Sequence, residues 1–160
     1  MAAVIGNLWS YVPINFSRKA TNTVDAALAL VSTTMVGTAV PRYCNSYTPS
    51  LTTVGATLGL PVQKCGRTTQ LTVGTVSGVN ATVRIQYDTG TATFVKQIVV
   101  TGSNGSFSSG GDSGSLIVTQ SGGVNPNPVA LLFAGSSSTT IANPIDLVLG
   151  SFGVHVDPGP

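Results

Sequence analysis

Apolar and polar residues alternate along residues 70–79 and again along residues 81–87. A period of two is typical of β-strands, because successive side chains point to opposite faces of a sheet. The turn residues Asp88–Gly90 follow, and an apolar-rich run over residues 92–100 returns as a hairpin partner. These stretches predict an antiparallel, all-β protein.

Short apolar runs between turn residues extend this prediction over the whole chain. Val, Thr, Ile and Gly recur throughout, and long helix-forming runs are missing. Further strands are predicted over residues 8–16, 24–31, 60–64, 116–118 and 129–134. One helix is predicted to begin at Asn143-Pro144, because asparagine caps free backbone N–H groups and proline fits the first helical position.

Composition places the chain among globular domains and excludes several partners. With 160 residues, 42% of them hydrophobic, it can bury one core. Only 8% of the residues are charged, the net charge is +2 and the cations are scattered, so nucleic-acid binding is not expected. No apolar run approaches the roughly 18 residues of a membrane helix, and residues 1–5 are too short and uncharged for a secretory signal. We therefore expect a soluble protein without a membrane partner, in a compartment that the sequence does not fix.

The cysteines leave two alternatives open. Cys44 and Cys65 either form one disulfide or remain two buried thiols. Together with the single, distant His155 they do not make a metal site. No metal and no cofactor is expected.

The motif Gly110–Ser115 carries the strongest chemical signal. It follows a glycine- and serine-rich loop and precedes the apolar run Leu116–Val118. This order presents the hydroxyl of Ser113 at the edge of a sheet, as a nucleophile requires. The alternative is a polar hairpin loop ahead of a strand.

Six stretches together resemble the chymotrypsin-like (trypsin-like) serine peptidases, and among them the bacterial type. Residues 111–114 resemble the nucleophile turn, and residues 23–29 resemble the strand that carries the aspartate of the triad. The other stretches resemble the start of the second barrel, the substrate-flanking strand and the C-terminal helix. They cover residues 64–69, 71–76, 128–135 and 142–145.

The resemblance implies a fold and a division of the chain. An antiparallel six-stranded β-barrel is expected over residues 60–160, with the nucleophile loop and a short C-terminal helix. Residues 1–40 would be the remnant of an incomplete first barrel, including the Asp25 strand. Residues 41–59 would connect the two.

The resemblance also implies roles for individual residues. Ser113 corresponds to the nucleophile, and Asp25 to the carboxylate that orients a histidine. The N–H groups of Gly111 and Ser113 correspond to the oxyanion hole, which stabilises the charge that develops on the carbonyl oxygen. Asp25 has an alternative role as a strand-end cap.

Two further expectations concern the surroundings of Ser113. Arg67 is expected to form a largely buried ion pair with Asp112, because an unpaired buried carboxylate costs several kcal/mol; the alternative is that Arg67 is a solvated turn residue. A substrate pocket without charges, which would favour uncharged side chains, is expected with Phe107 at its base. Its predicted lining is Phe107, Ser108, Ser109, Gly110, Phe133, Ala134 and Gly135.

The histidine of the triad is missing from the expected place. Only 24 residues precede Asp25, none of them histidine, and His155 lies at the opposite end of the order. The chain thus resembles the C-terminal two thirds of a peptidase, and three explanations remain open. It is a fragment of a longer precursor, or a natural truncation without catalysis, or a second chain supplies the missing elements.

Three functions follow from these alternatives. The first is a serine endopeptidase that hydrolyses peptide or protein substrates through an acyl-enzyme on Ser113 if a histidine is supplied from elsewhere. The second is a non-catalytic binding module, and the third a structural β-protein. The incomplete first barrel leaves strand edges near residues 8–16 and 24–31 unpaired, so a second chain or a homo-oligomer is expected there.

Overall fold

The computed structural model describes residue 4 and residues 6–37, 39–120 and 125–157. Within these residues it contains eight β-strands, one α-helix and two short 3-10 helices at Thr33–Met35 and Arg42–Cys44. The strands are β1 (Asn7–Tyr11), β2 (Ala27–Leu30), β3 (Pro61–Gly66), β4 (Gln70–Tyr87), β5 (Gly90–Gly102), β6 (Leu116–Thr119), β7 (Pro128–Gly135) and β8 (Thr140–Pro144); the helix is α1 (Ile145–Phe152).

Six of the strands form one closed antiparallel barrel. Their order is β3-β4-β5-β8-β7-β6, and β6 pairs back onto β3 through Lys64 and Ile117. Closure leaves no unpaired edge in this sheet. Its interior is filled by side chains from all six strands and from the loop before β6: Val62, Val76, Ile98, Val100, Phe107, Ile117, Val129, Ala130, Leu132 and Ala142. The predicted six-stranded barrel is confirmed.

The structure joins two of the predicted strands and adds another. Residues 70–79 and 81–87 belong to the single 18-residue strand β4, which irregular pairing with β5 interrupts between Val76 and Val83. Such bulges bend a strand without ending it, so the interrupted alternation suggested two strands. Strand β8 was not predicted, because its five residues carry no alternation of their own.

A separate two-stranded sheet stands where the incomplete first barrel was expected. β1 and β2 pair antiparallel with each other and with no other strand of the described chain. The large side chains of Leu8, Trp9, Tyr11 and Leu30 are 60–68% exposed. Both strands are shorter than predicted. The predicted boundaries between the three parts of the chain, at residues 40 and 59, stay predictions.

The segment just before β2 docks on the barrel. The N–H of Asn22 donates to the carbonyl of Thr93 on β5 at 2.8 Å, and Val24 is buried. The predicted strand over residues 24–31 is therefore divided: its first residues lie on the barrel surface, and Ala27–Leu30 form β2. This contact fixes Asp25 against the barrel.

The helix begins one residue later than predicted, and Asn143 does not cap it. Pro144 is the N-cap residue and makes no side-chain cap hydrogen bond. Asn143 is instead fully buried in β8. No helix in the described part of the chain is long and apolar enough to cross a bilayer.

Cys44 and Cys65 form a disulfide, with their Cα atoms 5.8 Å apart and a separation of 21 positions in the sequence. It links the second 3-10 helix to β3. Closing a loop of this size restricts the unfolded chain and contributes about 3 kcal/mol to stability. The disulfide therefore holds residues 44–65 against the barrel, next to the nucleophile turn.

Candidate active site

Asp112 is the buried centre of the turn that carries Ser113. It is 1% exposed, and four donors surround its carboxylate. Its Oδ1 accepts hydrogen bonds from the N–H groups of Thr68 at 2.7 Å and Thr69 at 3.2 Å, and its Oδ2 accepts from the Thr69 hydroxyl at 2.7 Å and the Ser109 N–H at 3.0 Å. One side chain thus joins the β3–β4 turn to the loop before β6.

Lys64, and not Arg67, supplies the positive charge for Asp112. The Nζ of Lys64 lies 3.7 Å from Oδ2 of Asp112, and neither side chain is exposed. The ammonium also donates to the Thr69 hydroxyl at 2.5 Å and to the Gln70 carbonyl at 3.0 Å. The predicted Arg67–Asp112 ion pair is wrong.

The alternation of side chains along β3 explains why Lys64, and not Arg67, pairs with Asp112. Val62, Lys64 and Gly66 point into the barrel, whereas Arg67 lies beyond the end of the strand, in the turn, and is exposed. A side chain at position 66 would collide with the Asp112 carboxylate, so glycine is required there. The signal was present in the sequence: a lysine that shares its side of a strand with Val62 faces the interior and needs a partner.

The hydrogen bonds determine the charge state of Asp112. Burial alone would raise the pKa of Asp112, but the bonds from Thr69, Ser109 and Thr68 outweigh burial and lower it to about 2. For Lys64, burial lowers the pKa, and the charge of Asp112 offsets part of that effect. Because the pKa of Asp112 is lower in the folded than in the unfolded chain, its stabilisation is present above pH 4 and is lost as the pH falls towards 2.

Among the described residues, three N–H groups of the turn, those of Gly110, Gly111 and Ser113, have no hydrogen-bond partner, and the last two flank Asp112. Within the described part of the chain, neither the Gly111 N–H nor the Ser113 N–H donates a hydrogen bond, whereas the neighbouring Asp112 and Gly114 N–H groups do. Gly111 has a φ of +98°, a conformation that side chains other than glycine rarely adopt. These two donors are the pair that the resemblance assigned to an oxyanion hole.

Ser113 and Asp25 line the same cavity. It has a volume of about 250 Å³, and its other walls come from Ala26, Ala27, Gly114 and residues 131–133. The Ser113 hydroxyl donates a long hydrogen bond of 3.4 Å to the Phe133 carbonyl, and no base in the described part of the chain accepts its proton. The two predicted triad residues are thus brought together around an open space.

Asp25 is held on both its backbone and its side chain. The Oδ1 of Asn143 accepts from the Asp25 N–H at 3.0 Å, and the Nδ2 of Asn143 donates to the Asp25 carbonyl at 2.9 Å. The Tyr87 hydroxyl donates to Oδ2 of Asp25 at 2.6 Å. Burial, the hydrogen bond and the negative charge of Asp25 all raise the pKa of Tyr87, so the phenol stays a donor. Neither partner was predicted from the sequence, because Asn143 was interpreted as a helix cap and Tyr87 as a strand residue.

A second cavity, of about 420 Å³, occupies the predicted substrate pocket. Ser108, Ser109, Gly110, Ala134 and Gly135 line it as predicted. Serines 106, 136 and 137 also line it, as do Ser113 and Leu132, and no charged side chain is among the lining residues. The described lining of the pocket is therefore uncharged.

The two phenylalanines lie outside this pocket. Phe107 is 2% exposed and fills the barrel core, because its neighbour Ser108 takes the position facing the cavity. Phe133 packs on Phe94, with ring centroids 5.0 Å apart, and borders the Asp25 cavity instead. The prediction that Phe107 and Phe133 line the pocket is wrong.

The described residues contain neither a nearby base nor a metal-binding group. His155 is exposed behind α1 and lines none of the three cavities that Ser113 borders. No cluster of three His, Cys, Asp or Glu side chains occurs within the described ranges. The site as it stands has a candidate nucleophile, a carboxylate and the free N–H donors of Gly111 and Ser113.

Comparison with known sequences assigns the chain to a family. The profile described as the Nal1 C-terminal domain matches residues 28–143, which include the nucleophile turn and all eight residues of β7. The chain belongs to the Nal1 C-terminal domain family. Comparison with curated proteins found no match.

Comparison with solved structures identifies the fold of this family member. Thermobifida fusca protease A is 25% identical with a TM-score of 0.68, and the match covers 86% of this chain and 70% of that chain. Cellulomonas bogoriensis chymotrypsin is 21% identical with a TM-score of 0.66, covering 86% and 72%, and a Nocardiopsis protease is 22% identical with a TM-score of 0.63, covering 94% and 78%. The chain has the fold of the bacterial chymotrypsin-like serine proteases, which confirms the predicted resemblance.

Replacing Lys64 with methionine should lower the free energy of unfolding by about 3 kcal/mol or more, because Asp112 would keep a buried charge without its cation. Urea-induced unfolding followed by circular dichroism measures this loss. Arg67→Met is the matched control, since it removes the same charge from an exposed side chain and should change stability by less than about 0.5 kcal/mol. Equal losses in the two variants, or a larger loss at Arg67, would contradict the assignment of Lys64 as the partner of Asp112.

Proposed function

We propose that this chain is the nucleophile- and aspartate-bearing part of a serine endopeptidase. In this proposal it hydrolyses a peptide bond through an acyl-enzyme on Ser113 once an imidazole from outside the chain enters the Asp25 cavity. The observation that carries the proposal is that Ser113 and Asp25 line one open cavity beside the unpaired N–H groups of Gly111 and Ser113. Without the imidazole the chain is idle.

The chemistry follows from what each group can do. A serine hydroxyl is too weakly acidic to attack an amide unaided, so the imidazole removes its proton as Oγ bonds to the carbonyl carbon. The negative charge on the carbonyl oxygen is stabilised by the N–H groups of Gly111 and Ser113. Asp25 stabilises the imidazolium, which gives its proton to the leaving amine. Water then hydrolyses the ester on Ser113 by the same route.

The volume and lining of the Asp25 cavity suit an imidazole ring. A bound water occupies about 30 Å³, so a space of about 250 Å³ admits a five-membered ring with room to approach both sides. Tyr87 already bonds one oxygen of Asp25, while Oδ1 makes no side-chain hydrogen bond in the described structure and is available to a ring N–H. The ring could then reach Ser113 with its second nitrogen.

The pocket of about 420 Å³ supports a preference for substrates with an uncharged side chain before the scissile bond. It contains no counter-ion for an acidic or a basic side chain, and burying an unpaired charge is costly. The Ser108 hydroxyl lines this pocket and shares one hydrogen bond with the Thr140 hydroxyl. Whichever hydroxyl accepts that bond keeps its own proton for a further hydrogen bond.

Free imidazole should restore reactivity to Ser113. A fluorophosphonate probe should label the protein slowly or not at all in buffer, and labelling should increase by at least about tenfold with imidazole, because the base accounts for orders of magnitude in rate. Mass spectrometry of the labelled peptide checks that Ser113 is the site.

Three variants serve as controls. Ser113→Ala should abolish labelling, and Asp25→Asn should reduce the imidazole effect because the ring loses its orienting carboxylate. Ser103→Ala, an exposed serine after β5 that lines none of the three cavities around Ser113, should label like the natural sequence. The proposed chemistry would be contradicted by a labelling rate that does not increase with imidazole, or by labelling that persists in Ser113→Ala.

We further propose that the β1–β2 sheet is covered by a second copy of the chain. A two-stranded sheet is marginally stable alone. Its four large side chains Leu8, Trp9, Tyr11 and Leu30 are 60–68% exposed, and covering apolar side chains with a partner is favourable.

Light scattering after size exclusion should show a mass above that of one chain, increasing with protein concentration. Trp9→Lys should shift the protein towards the monomer, because it places a charge in the apolar surface. Lys96→Gln, on the barrel, should leave the mass unchanged. A single-chain mass at high concentration would contradict the association.

A non-catalytic peptide-binding module is the second candidate function. It is favoured by the hydrogen bond that holds the Ser113 hydroxyl on a backbone carbonyl and by the lack of a base among the described residues. The labelling experiment separates the two functions, since a binding module would not respond to imidazole.

A further inference from the structure

We infer that Arg67 makes this site selective for a carboxylate on the leaving-group side of the scissile bond. The carboxylate is an acidic side chain or the free carboxyl end of the substrate. This inference rests on the proposed function of Ser113 and names the substrate class of the same site.

Arg67 is free to act on a ligand because Lys64 has taken the position next to Asp112. Arg67 is exposed, and no described residue forms an ion pair with it. Its guanidinium lies close to the nucleophile turn: Nη1 would be 3.4 Å from a Cβ built on Gly111. The cation therefore stands directly beside the unpaired N–H group of Gly111.

Arg67 and Ser113 line a third cavity, of about 300 Å³. Val40, Tyr47, Pro49 and Cys65 form its far wall, so it lies against the disulfide and away from the pocket of the acyl side. Burial raises the pKa of Tyr47, which stays neutral there. Ser113 borders three cavities: one receives the acyl-side chain, one receives the imidazole, and this third one remains for the leaving group.

The charges around Ser113 make Arg67 decisive. Among the described residues that line the three cavities, the only charged side chains are Asp25 and Arg67. Asp25 is bonded to Tyr87 and faces the imidazole. A substrate thus meets one open charge, a guanidinium, whose planar fork matches a carboxylate.

The backbone of Arg67 is fixed even though its side chain is exposed. The next two N–H groups, of Thr68 and Thr69, are bonded to Asp112, and the preceding strand is tied by the disulfide at Cys65. The Cα of Arg67 therefore keeps a constant place relative to Ser113, and the guanidinium moves only within the reach of its own side chain.

Peptide binding tests the inference without requiring turnover. Fluorescein-labelled peptides Ala-Ala-Phe-Xaa-Ala-Ala, with Xaa as Glu, Gln or Lys and an amidated end, are titrated into the Ser113→Ala protein. Glu should bind roughly fivefold more tightly than Gln, and Lys most weakly, as expected for one exposed charge pair. The Glu–Gln difference should shrink at about 0.5 M salt. A Gln peptide that ends at Xaa with a free carboxylate tests the second source of the charge.

Three variants complete the test. In Arg67→Gln the Glu–Gln difference should disappear, and in Arg67→Lys it should partly remain. Arg18→Gln, which removes a charge from a distant turn, should keep it. The inference would be overturned by equal affinities for the Glu and Gln peptides, or by no binding of any peptide. It would also be overturned if Arg67→Gln lost affinity for all three peptides together.

Cleavage of the same peptides by the natural sequence with imidazole separates this inference from the proposed function. Selective binding without cleavage would support Arg67 and contradict the hydrolysis. Cleavage without a preference for Glu would support the hydrolysis and contradict the role of Arg67. A uniform slowing of all peptides in Arg67→Gln would assign Arg67 to the carbonyl oxygen and overturn the carboxylate preference.

Discussion

The buried carboxylate of Asp112 is the interaction on which the rest of the site depends. It binds two successive N–H groups of the β3–β4 turn, one N–H of the loop before β6 and the hydroxyl of Thr69, with the charge of Lys64 close by. Removing this carboxylate would leave these donors unpaired inside the protein. Through these bonds the closed barrel fixes Gly111 and Ser113, although both residues are exposed.

The fold was predictable because its signals are local. Alternation along β4 and the turn at residues 88–90 indicate a hairpin whatever lies around them, and the closed barrel follows from the resemblance that six stretches share. The bulges of β4 and the short strand β8 were missed, since both are determined by pairing with β5, a contact that no single stretch encodes. The disulfide was one of two alternatives until the structure brought Cys44 beside β3.

The site was predictable in its residue types and less so in its pairings. Ser113 and Asp25 line one cavity, and their catalytic roles, like that of Gly111, stay predictions. The partner of Asp112 was misassigned because a turn arginine and an inward lysine lie three positions apart, and only the side of the strand on which Lys64 lies distinguishes them. Phe107 and Phe133 were predicted to line the pocket because their sequence neighbours do. In the structure Phe107 packs in the barrel core, and Phe133 packs on the ring of Phe94.

The two charges that face the cavities of Ser113 divide the work of the proposed enzyme. In the proposed mechanism Asp25 stabilises the imidazole that comes from outside the chain, and Arg67 binds the leaving-group side of the substrate. The internal charges of Lys64 and Asp112 neutralise one another, so they position the turn without attracting ligands. In the proposed enzyme the site is assembled and lacks only its base.

A crystal structure of the chain grown in imidazole tests that claim most directly. The account predicts a ring between Oδ1 of Asp25 and Oγ of Ser113, with the Ser113 hydroxyl turned from the Phe133 carbonyl to the ring and residues 108–114 unmoved. A ring bound elsewhere, or a rearranged nucleophile turn, would show that the site is not assembled in this chain.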